Sequence, residues 1–432
     1  MRLFHKVLAL LLVLTALPAA AQVIPAGYDV GRWRGFRTAV VSYTFDDGTP
    51  GHLGIVVPLF DEFGYKTTLF TVTGWSPDWT GLAAAAARGH EVASHTVTHP
   101  NLPTIAGSAQ MTEMGTSHDA IASRIPTPTG QTVAYPYCAK GNEVATNLYY
   151  FAARGCQGAI VPPTPSDFLN ISSIVIGTEG SVKTAADLNT RVRSAESSTG
   201  WAVFLVHGVD SDGGWSPFSS ADLRAHLGFI KDNDATFWVE TFGNVVRYIK
   251  ERNGARITEL TVGDQEITLR LFDFLADGTY NYPLSLRREL PTGWTDATVR
   301  QAGRVVPSRI VHAGGQTFAE FDVVPDGGDI AIEKIESTGY EGFDGPGSSE
   351  VLGTWPNPAL DRVTLDFRVA RAGQVSLDVY DLLGRRVETV FSGWWPEGRY
   401  SRDWDTDAVQ PGQYVVRLTT ATGVAAGVVV VL

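Results

Sequence analysis

The chain has 432 residues, more than one ordinary domain, so two or three domains are expected. Lys and Arg total 34 against 46 Asp and Glu, which gives a net charge of −12, and the sequence has no long basic run. This balance argues against nucleic acid or an anionic membrane surface as the main partner, but it leaves a neutral polymer such as a glycan open.

Residues 1–21 have the pattern of a secretory signal peptide. Arg2 and Lys6 give a basic start, residues 7–17 an apolar core, and Ala19-Ala20-Ala21 a small-residue cleavage site. The apolar run is short for a membrane span, and no other stretch is long and apolar enough for one. An uncleaved anchor is the alternative. The favoured prediction is an exported protein whose mature chain has no transmembrane span.

Between residues 22 and 253, short apolar runs alternate with helix-like stretches. Strands are predicted at 39–43, 67–72, 133–135, 159–161, 202–206 and 237–239, and helices at 52–63, 110–123, 143–153, 185–197 and 221–232. This alternation predicts an α/β fold with a parallel sheet or barrel. In such folds the active residues lie where the strands end.

The first predicted strand runs into the segment TFDDG (44–48). Adjacent side chains on extended backbone point in opposite directions. A turn at Gly48 would let one carboxylate, of Asp46 or Asp47, bind a metal while the other faces a water and acts as a base. Taken alone, an Asp-Asp-Gly turn is a common surface motif.

Three histidines complete the candidate site. His95 and His99 lie in SHTVTHP (94–100), and on a helical turn their spacing would place both imidazoles on one face. With one carboxylate they form a ligand set that suits zinc and leaves a position for water, which zinc ionises near neutral pH. His207 follows an apolar run and is a candidate general acid. Structural histidines are the alternative for each.

Together and in this order, these segments resemble the NodB-homology polysaccharide deacetylases of carbohydrate esterase family four, whose motifs read TFDDG, H-S/T-x-x-H-P and L-x-H. The resemblance implies a distorted, incomplete (β/α) barrel and Asp46 as the catalytic base. It implies Asp47, His95 and His99 as ligands of one divalent ion, zinc first and cobalt or a similar ion next. It implies His207 as the acid that protonates the leaving group.

The family's third segment usually reads R-x-P-Y, and here residues 134–137 read AYPY. The resemblance implies that Tyr137 offers its backbone N–H to the oxyanion, a role that does not depend on the side chain. The arginine that often orients the base is replaced by Ala134. The fourth segment, D-x-x-D-W, is not visible, so no partner for His207 is assigned.

Two further sets of side chains carry weaker signals. Cys138 and Cys156 are the only cysteines, and in an exported protein they form either a disulfide or two buried thiols. Trp75, Trp79 and Trp215 lie near the motif segments and would either stack on sugar rings or pack against the protein.

Beyond residue 253 the pattern becomes all-β. Residues 254–336 alternate in short runs, as in a β-sandwich, and 337–350 are rich in Gly, Ser and acidic residues, as in a linker. Residues 351–432 resemble the C-terminal sorting domains of the type IX secretion pathway through WPNPA (355–359), VYDLLGR (379–385) and GQYVVRL (412–418). That resemblance implies outer-membrane export machinery as a partner and a secreted or cell-surface location. An ordinary immunoglobulin-like or carbohydrate-binding module is the alternative.

The sequence as a whole predicts a secreted, metal-dependent hydrolase that removes acetyl groups from a polysaccharide. An O-acetyl ester of a xylan-like polymer is slightly favoured over an N-acetyl amide of chitin or peptidoglycan, because an ester tolerates a weaker acid–base apparatus. The alternatives from other classes are a catalytically inactive carbohydrate-binding or surface-adhesion protein that keeps the metal site, and a protein that scavenges metal.

Overall fold

The structure is a computed structural model that describes residues 22–125, 130–335, 350–355, 358–359, 362–406 and 409–431. The predicted signal peptide (1–21) and nearly all of the predicted linker lie outside the described residues. Among those that are described, no helix has the length and apolar character needed to cross a membrane.

The first part of the chain alternates strands and helices, as the sequence predicts. Its strands are β1 (Tyr28–Val30), β2 (Ala39–Asp46), β3 (Thr68–Thr71), β4 (Glu91–Ser94), β5 (Thr132–Ala134), β6 (Ala152–Arg154), β7 (Ile174–Val175), β8 (Trp201–Val206) and β9 (Phe237–Val239). Its helices are α1 (Val57–Phe63), preceded by a π-helical segment (His52–Val56), α2 (Trp79–Ala87), α3 (Gly107–Ala122), α4 (Glu143–Tyr149), α5 (Ala185–Ser197), α6 (Ser220–Asp232) and α7 (Phe242–Gly254). Short 3-10 turns occupy Arg34–Phe36, Leu102–Thr104 and Pro136–Cys138.

Strands β2 to β9 form one parallel sheet in the order β6-β5-β4-β3-β2-β8-β7, with β9 also paired to β2. The sheet curls into a half-barrel, which confirms the predicted α/β fold. All eight residues of the central strand β2 are buried. The carboxyl ends of β2, β4, β5, β6 and β8 therefore meet at one rim, where the candidate residues lie.

Two predictions for this part are wrong. Residues 159–161 do not form a strand, since Val161 makes only an isolated bridge with Trp201. The helix predicted over 143–153 ends at Tyr149, and Ala152–Arg154 is strand β6, paired with β5. Alanine favours helices locally, but pairing with a neighbouring strand overrides that preference.

The middle of the chain is antiparallel. Its strands are β10 (Arg256–Val262), β11 (Glu266–Phe272), β12 (Leu284–Glu289), β13 (Ala297–Gln301), β14 (Arg304–Val305), β15 (Ser308–Ala313), β16 (Gln316–Val323) and β17 (Ile330–Lys334). They form two sheets, β10-β11-β17-β13-β14 and β1-β12-β16-β15, so the N-terminal strand β1 belongs to the second of them. The domain boundary placed at residue 253 remains a prediction.

The C-terminal part is a second pair of antiparallel sheets. Its strands are β18 (Glu350–Trp355), β19 (Arg362–Val369), β20 (Gly373–Asp381), β21 (Arg386–Trp395), β22 (Gly398–Asp405), β23 (Gly412–Thr420) and β24 (Gly423–Val431). The sheets run β18-β19-β22 and β21-β20-β23-β24, and residues of both share one core.

The parallel sheet buries both faces, and alternate residues of β2 explain how. Val41, Tyr43 and Phe45 contribute to the core under the outer helices, while Val40 points to the opposite side. On that opposite side, buried residues of α7 and of the middle sheets belong to the same core as Val40. Helix α7 is thus packed between the half-barrel and the antiparallel sheets.

Candidate active site

Asp46 and Asp47 lie together at the carboxyl end of β2. Asp46 is the last residue of the strand, and the turn begins at Asp47, one residue before Gly48, since both Asp47 and Gly48 have φ near 76°. This turn brings both carboxylates to the same neighbour. His95 Nε2 lies 3.7 Å from Asp46 Oδ2 and 3.6 Å from Asp47 Oδ1.

His95 and His99 meet as predicted, but not on a helical turn. They occupy a loop after β4 in which Thr96 and His99 adopt positive φ, of 67° and 58°. Their rings make an edge contact with centroids 4.8 Å apart, and His99 Nε2 lies 3.7 Å from Asp47 Oδ1. The helical placement is therefore wrong, whereas the expected proximity of the two imidazoles holds.

A carboxylate from helix α3 shapes this loop. Glu113 accepts hydrogen bonds from the amides of Val97 and Thr98, at 2.8 and 2.9 Å, and from the Thr98 hydroxyl at 2.7 Å. These bonds take the place of the intrahelical bonds that a helical turn would make. Glu113 is not predicted from the sequence, because it lies 15 and 16 positions from the two residues that it binds and two of its three hydrogen bonds come from backbone amides.

Asp47, His95 and His99 fit a divalent metal ion. Their three ligand atoms lie within 4.8 Å of one another, and among the described residues Asp47 Oδ1 is buried with no hydrogen-bond partner. His95 Nδ1 donates to the Ala134 carbonyl at 2.9 Å, which leaves the lone pair on Nε2 facing Asp47. Two nitrogens and one carboxylate oxygen suit zinc or cobalt.

The charges of the cluster also favour a cation. Burial lowers the pKa of His95 to about 4, so its imidazole is neutral and able to ligate at neutral pH. Burial, together with the neighbouring Asp46, raises the pKa of Asp47 to about 7. Arg154 opposes this shift without cancelling it, and a bound divalent cation would stabilise the ionised Asp47 carboxylate.

A buried arginine compensates for the one missing from the third motif. Arg154 Nη2 donates to Asp46 Oδ2 at 2.5 Å, and both side chains are at most 2% exposed. Burial alone would raise the pKa of Asp46, but Arg154 and the nearby histidines hold it below its ordinary value. Arg154 lies on β6 directly opposite Ala134 on β5. Arg154 is not predicted from the sequence, because residues 143–153 have a helical pattern.

His207 directly follows β8, as expected. Its carbonyl accepts a hydrogen bond from His52 Nε2 at 2.6 Å, and its ring makes an edge contact with Trp215 at 4.7 Å between centroids. Burial is the main cause that lowers its pKa, while Asp46 opposes the shift. Within the described chain, His207 Nδ1 is buried and has no hydrogen-bond partner, so no carboxylate is hydrogen-bonded to this nitrogen.

Tyr137 lies on the rim of the cluster. The residue is 68% exposed, the centroid of its ring lies 4.8 Å from that of His99, and its φ is 56° within a tight turn. Cys138 and Cys156 form a disulfide, which ties this turn to the chain just after Arg154. Of the two alternatives for the cysteines, the structure therefore has the disulfide.

The three tryptophans separate into two groups. Trp75 and Trp215 are about half exposed, at 54% and 53%, and contact His99 and His207 respectively. Trp79 begins helix α2 and packs under the Arg124 guanidinium, 4.9 Å from the ring centroid. The first two therefore flank the candidate site, whereas Trp79 packs against the protein.

We expect Glu113→Ala to weaken metal binding by about 10–100-fold, because the loop that presents His95 and His99 loses its carboxylate anchor. Zinc affinity measured by competition with a chelator checks this. Asp119→Ala is the matched control: Asp119 is an exposed acid of the same helix that pairs with neighbouring His118. Equal zinc affinity in the two variants would contradict the role given to Glu113.

At the strand ends of the half-barrel, two carboxylates and two histidines surround one small space, and three of these side chains form a group that could hold one metal ion. The polysaccharide deacetylase family matches residues 34–152, and the secretion system C-terminal sorting domain matches residues 353–431. The chain therefore carries a polysaccharide deacetylase domain and ends in a sorting domain of the type IX pathway, which marks a secreted or cell-surface protein.

Named relatives match different lengths of the chain. It is 28% identical over 368 residues to a gellan lyase of Bacillus sp., a match that covers 80% of this chain but 15% of that protein. It is 36% identical over 85 residues to a chitooligosaccharide deacetylase of Rhizobium leguminosarum bv. trifolii, which covers 19% of this chain and 40% of the relative. The chain thus spans less than half the length of both.

Solved structures include a family 4 acetyl xylan esterase from Clostridium thermocellum in complex with a cobalt ion. It is 15% identical, the match covers 48% of this chain and 89% of that one, and the TM-score is 0.36.

Proposed function

We propose that the protein is a secreted, metal-dependent carbohydrate esterase that removes acetyl groups from a polysaccharide. The main support for the proposal is that a group of potential metal ligands lies next to a potential catalytic base. The cluster of Asp47, His95 and His99 lies beside Asp46, whose carboxylate is buried and paired with Arg154. A metal site next to a base that is held ionised supplies the two groups that metal-assisted hydrolysis of an acetyl group uses.

The residues take the following roles in the proposed reaction. A divalent ion held by Asp47, His95 and His99 would supply Lewis acidity, which polarises the acetyl carbonyl and acidifies a water. Asp46 accepts the proton of the attacking water. The Tyr137 amide donates to the developing oxyanion, and His207 gives a proton to the departing group. We propose zinc as the native ion, with cobalt as a substitute.

We still propose an O-acetyl ester as the bond that is hydrolysed, but only one of the two arguments for it is retained. The preference for an ester over an amide was based on a missing arginine and on a missing partner for His207. Arg154 removes the first argument, since it reaches Asp46 from β6. The second is supported, because no carboxylate contacts the buried Nδ1 of His207 among the described residues. An imidazole whose pKa is lowered carries a proton for less of the time at neutral pH, and an amine leaves an amide only when it is protonated, whereas an ester expels its alcohol more readily.

Acetate release tests this proposal. Metal-stripped protein is assayed on acetylated xylan and on chitin oligomers, with and without added zinc, and Asp47→Asn serves as the ligand-deficient control. Release from xylan that zinc restores in the wild type but not in the control is the expected result. Activity on chitin oligomers alone would overturn the ester proposal. Tight zinc binding without release from either polymer would favour the carbohydrate-binding alternative.

A further inference from the structure

The contact between helix α7 and the loop that follows β11 contains a second group of buried acids. Glu251, in the last turn of α7, is fully buried. Its Oε1 accepts a hydrogen bond from the Tyr282 amide at 2.8 Å. Its other oxygen, Oε2, is buried and has no hydrogen-bond partner in the described part of the chain.

Asp273, in the loop after β11, also has one hydrogen-bonded carboxylate oxygen and one buried oxygen without a partner. It is 2% exposed, and its Oδ1 accepts the amides of Phe274 and Leu275 at 2.7 and 2.6 Å. Its Oδ2 is buried without a hydrogen-bond partner among the described residues. A Cβ added at Gly254, the last residue of α7, would lie 3.3 Å from Asp273 Cβ, so Asp273 packs directly against the end of this helix.

Most of the charged groups that act on these two acids are themselves acidic. Burial, followed by Asp273 and Asp277, raises the pKa of Glu251 to about 8, while Arg247 opposes the shift. Burial also raises the pKa of Asp273, with Asp326 and Asp277 adding to it. Asp326 lies close, since its carboxylate accepts the Asp273 amide at 3.2 Å.

The backbone adds to this negative field. The last turn of a helix carries partial negative charge, because its final carbonyl groups have no partner within the helix. Two buried acids at that end are therefore unfavourable without a positive charge between them. Among the described residues, neither free oxygen accepts a hydrogen bond from any side chain or amide, and Arg247 is the one cation that opposes the pKa shift of Glu251.

We propose that the end of α7 and the loop after β11 form a binding site for a hard divalent cation, Ca²⁺ first, ligated by Glu251 Oε2 and Asp273 Oδ2. Every side chain of the group offers oxygen, which suits Ca²⁺ and not the nitrogen-preferring zinc. Asp326, which accepts the Asp273 amide, and Asp277 supply further negative charge nearby. The ion ties α7, which packs on the parallel sheet, to the antiparallel sheets behind it. This proposal is independent of the proposed catalytic activity.

The test uses the full chain with the active-site ion left in place. Ca²⁺ at roughly 100-fold above its Kd is expected to raise Tm by about 5 °C, because the ion binds only the folded state. Tb³⁺ serves as a luminescent probe that Ca²⁺ displaces. Glu251→Gln and Asp273→Asn are expected to abolish both responses. Glu266→Gln removes an exposed charge of β11 and should retain both.

The variant His95→Ala separates this site from the candidate active site. Both responses are expected to persist in it, whether or not the protein hydrolyses any polymer. Loss of the Ca²⁺ response in His95→Ala, with retention in Glu251→Gln, would place the ion at the active site and overturn the proposal. A wild-type protein that shows neither response would also overturn it, since the two acids would then hold a proton instead of a cation. If Asp273→Asn does not fold, the measurements on the wild type and on His95→Ala still test whether Ca²⁺ binds away from the active site.

Discussion

We expect Asp46→Asn to lower kcat for acetate release by about 10²–10⁴-fold while the protein keeps its bound metal, because the variant loses the proposed base but retains all three proposed metal ligands. Asparagine has nearly the same shape as aspartate, so its side-chain oxygen still accepts from Arg154. An amide, however, does not take up the proton of the attacking water. The measurement is a steady-state assay on acetylated xylan with metal content determined on the same samples.

Comparison with Asp47→Asn shows which of the two adjacent acids is the metal ligand and which is the base. Asp47 Oδ1 faces both His95 and His99, at 3.6 and 3.7 Å from their Nε2 atoms, so this variant is expected to lose the ion and the activity together. A result in which Asp46→Asn loses the metal while Asp47→Asn retains it would reverse the two roles. Equal metal content and full activity in Asp46→Asn would end the case for Asp46 as the base.

What the sequence predicts well is encoded locally. Helix α5 has the predicted bounds, Ala185–Ser197, because Thr184 and Asp187 form a reciprocal capping box within four residues. Strand β9 also matches, since Phe237–Val239 is a short apolar run that is fully buried. The chemistry of the site was visible for the same reason: each motif is short, and each follows a strand of the parallel sheet.

What the sequence did not reveal depends on contacts between distant segments. Strand β6 is three residues long and exists through its pairing with β5, so Ala152 and Ala153 looked helical and Arg154 went unnoticed. The disulfide needed a spatial closeness that spacing alone does not give. The loop from His95 to His99 takes its shape from Glu113 on another element. In each case the partner lies 14 or more positions away.

We expect Arg154→Met to destabilise the protein by about 3–5 kcal/mol at neutral pH and to move the acid limb of its pH–rate profile upward. The variant leaves the Asp46 carboxylate buried without its partner, and breaking a buried pair costs about this much. In the wild type, Arg154 helps hold the Asp46 pKa below its ordinary value, so the stability that the pair contributes is present above the unfolded pKa and lost as pH falls through the folded pKa. Without Arg154, burial raises that pKa.

The stability deficit of Arg154→Met is therefore largest at neutral pH and shrinks as the pH falls, because protonated Asp46 no longer needs a partner. Urea unfolding at several pH values measures this dependence, and the pH–rate profile measures the shift of the base. Arg287→Met is the control, since it removes the ion pair with Glu320 in the middle sheets and should leave the pH–rate profile unchanged.

Moving the positive charge of Arg154 from β6 to the neighbouring strand β5 tests whether Arg154 acts on the base Asp46 or only stabilises the fold. Ala134 lies directly opposite Arg154 in the β5–β6 register. The double variant Ala134→Arg/Arg154→Ala moves the arginine to the position that the third motif usually gives it. We expect it to recover part of the lost activity and to lower the acid limb again, because the guanidinium once more neighbours Asp46. Wild-type activity and an unshifted acid limb in Arg154→Met would show that Asp46 stays ionised without it, and the pairing would then serve the fold alone.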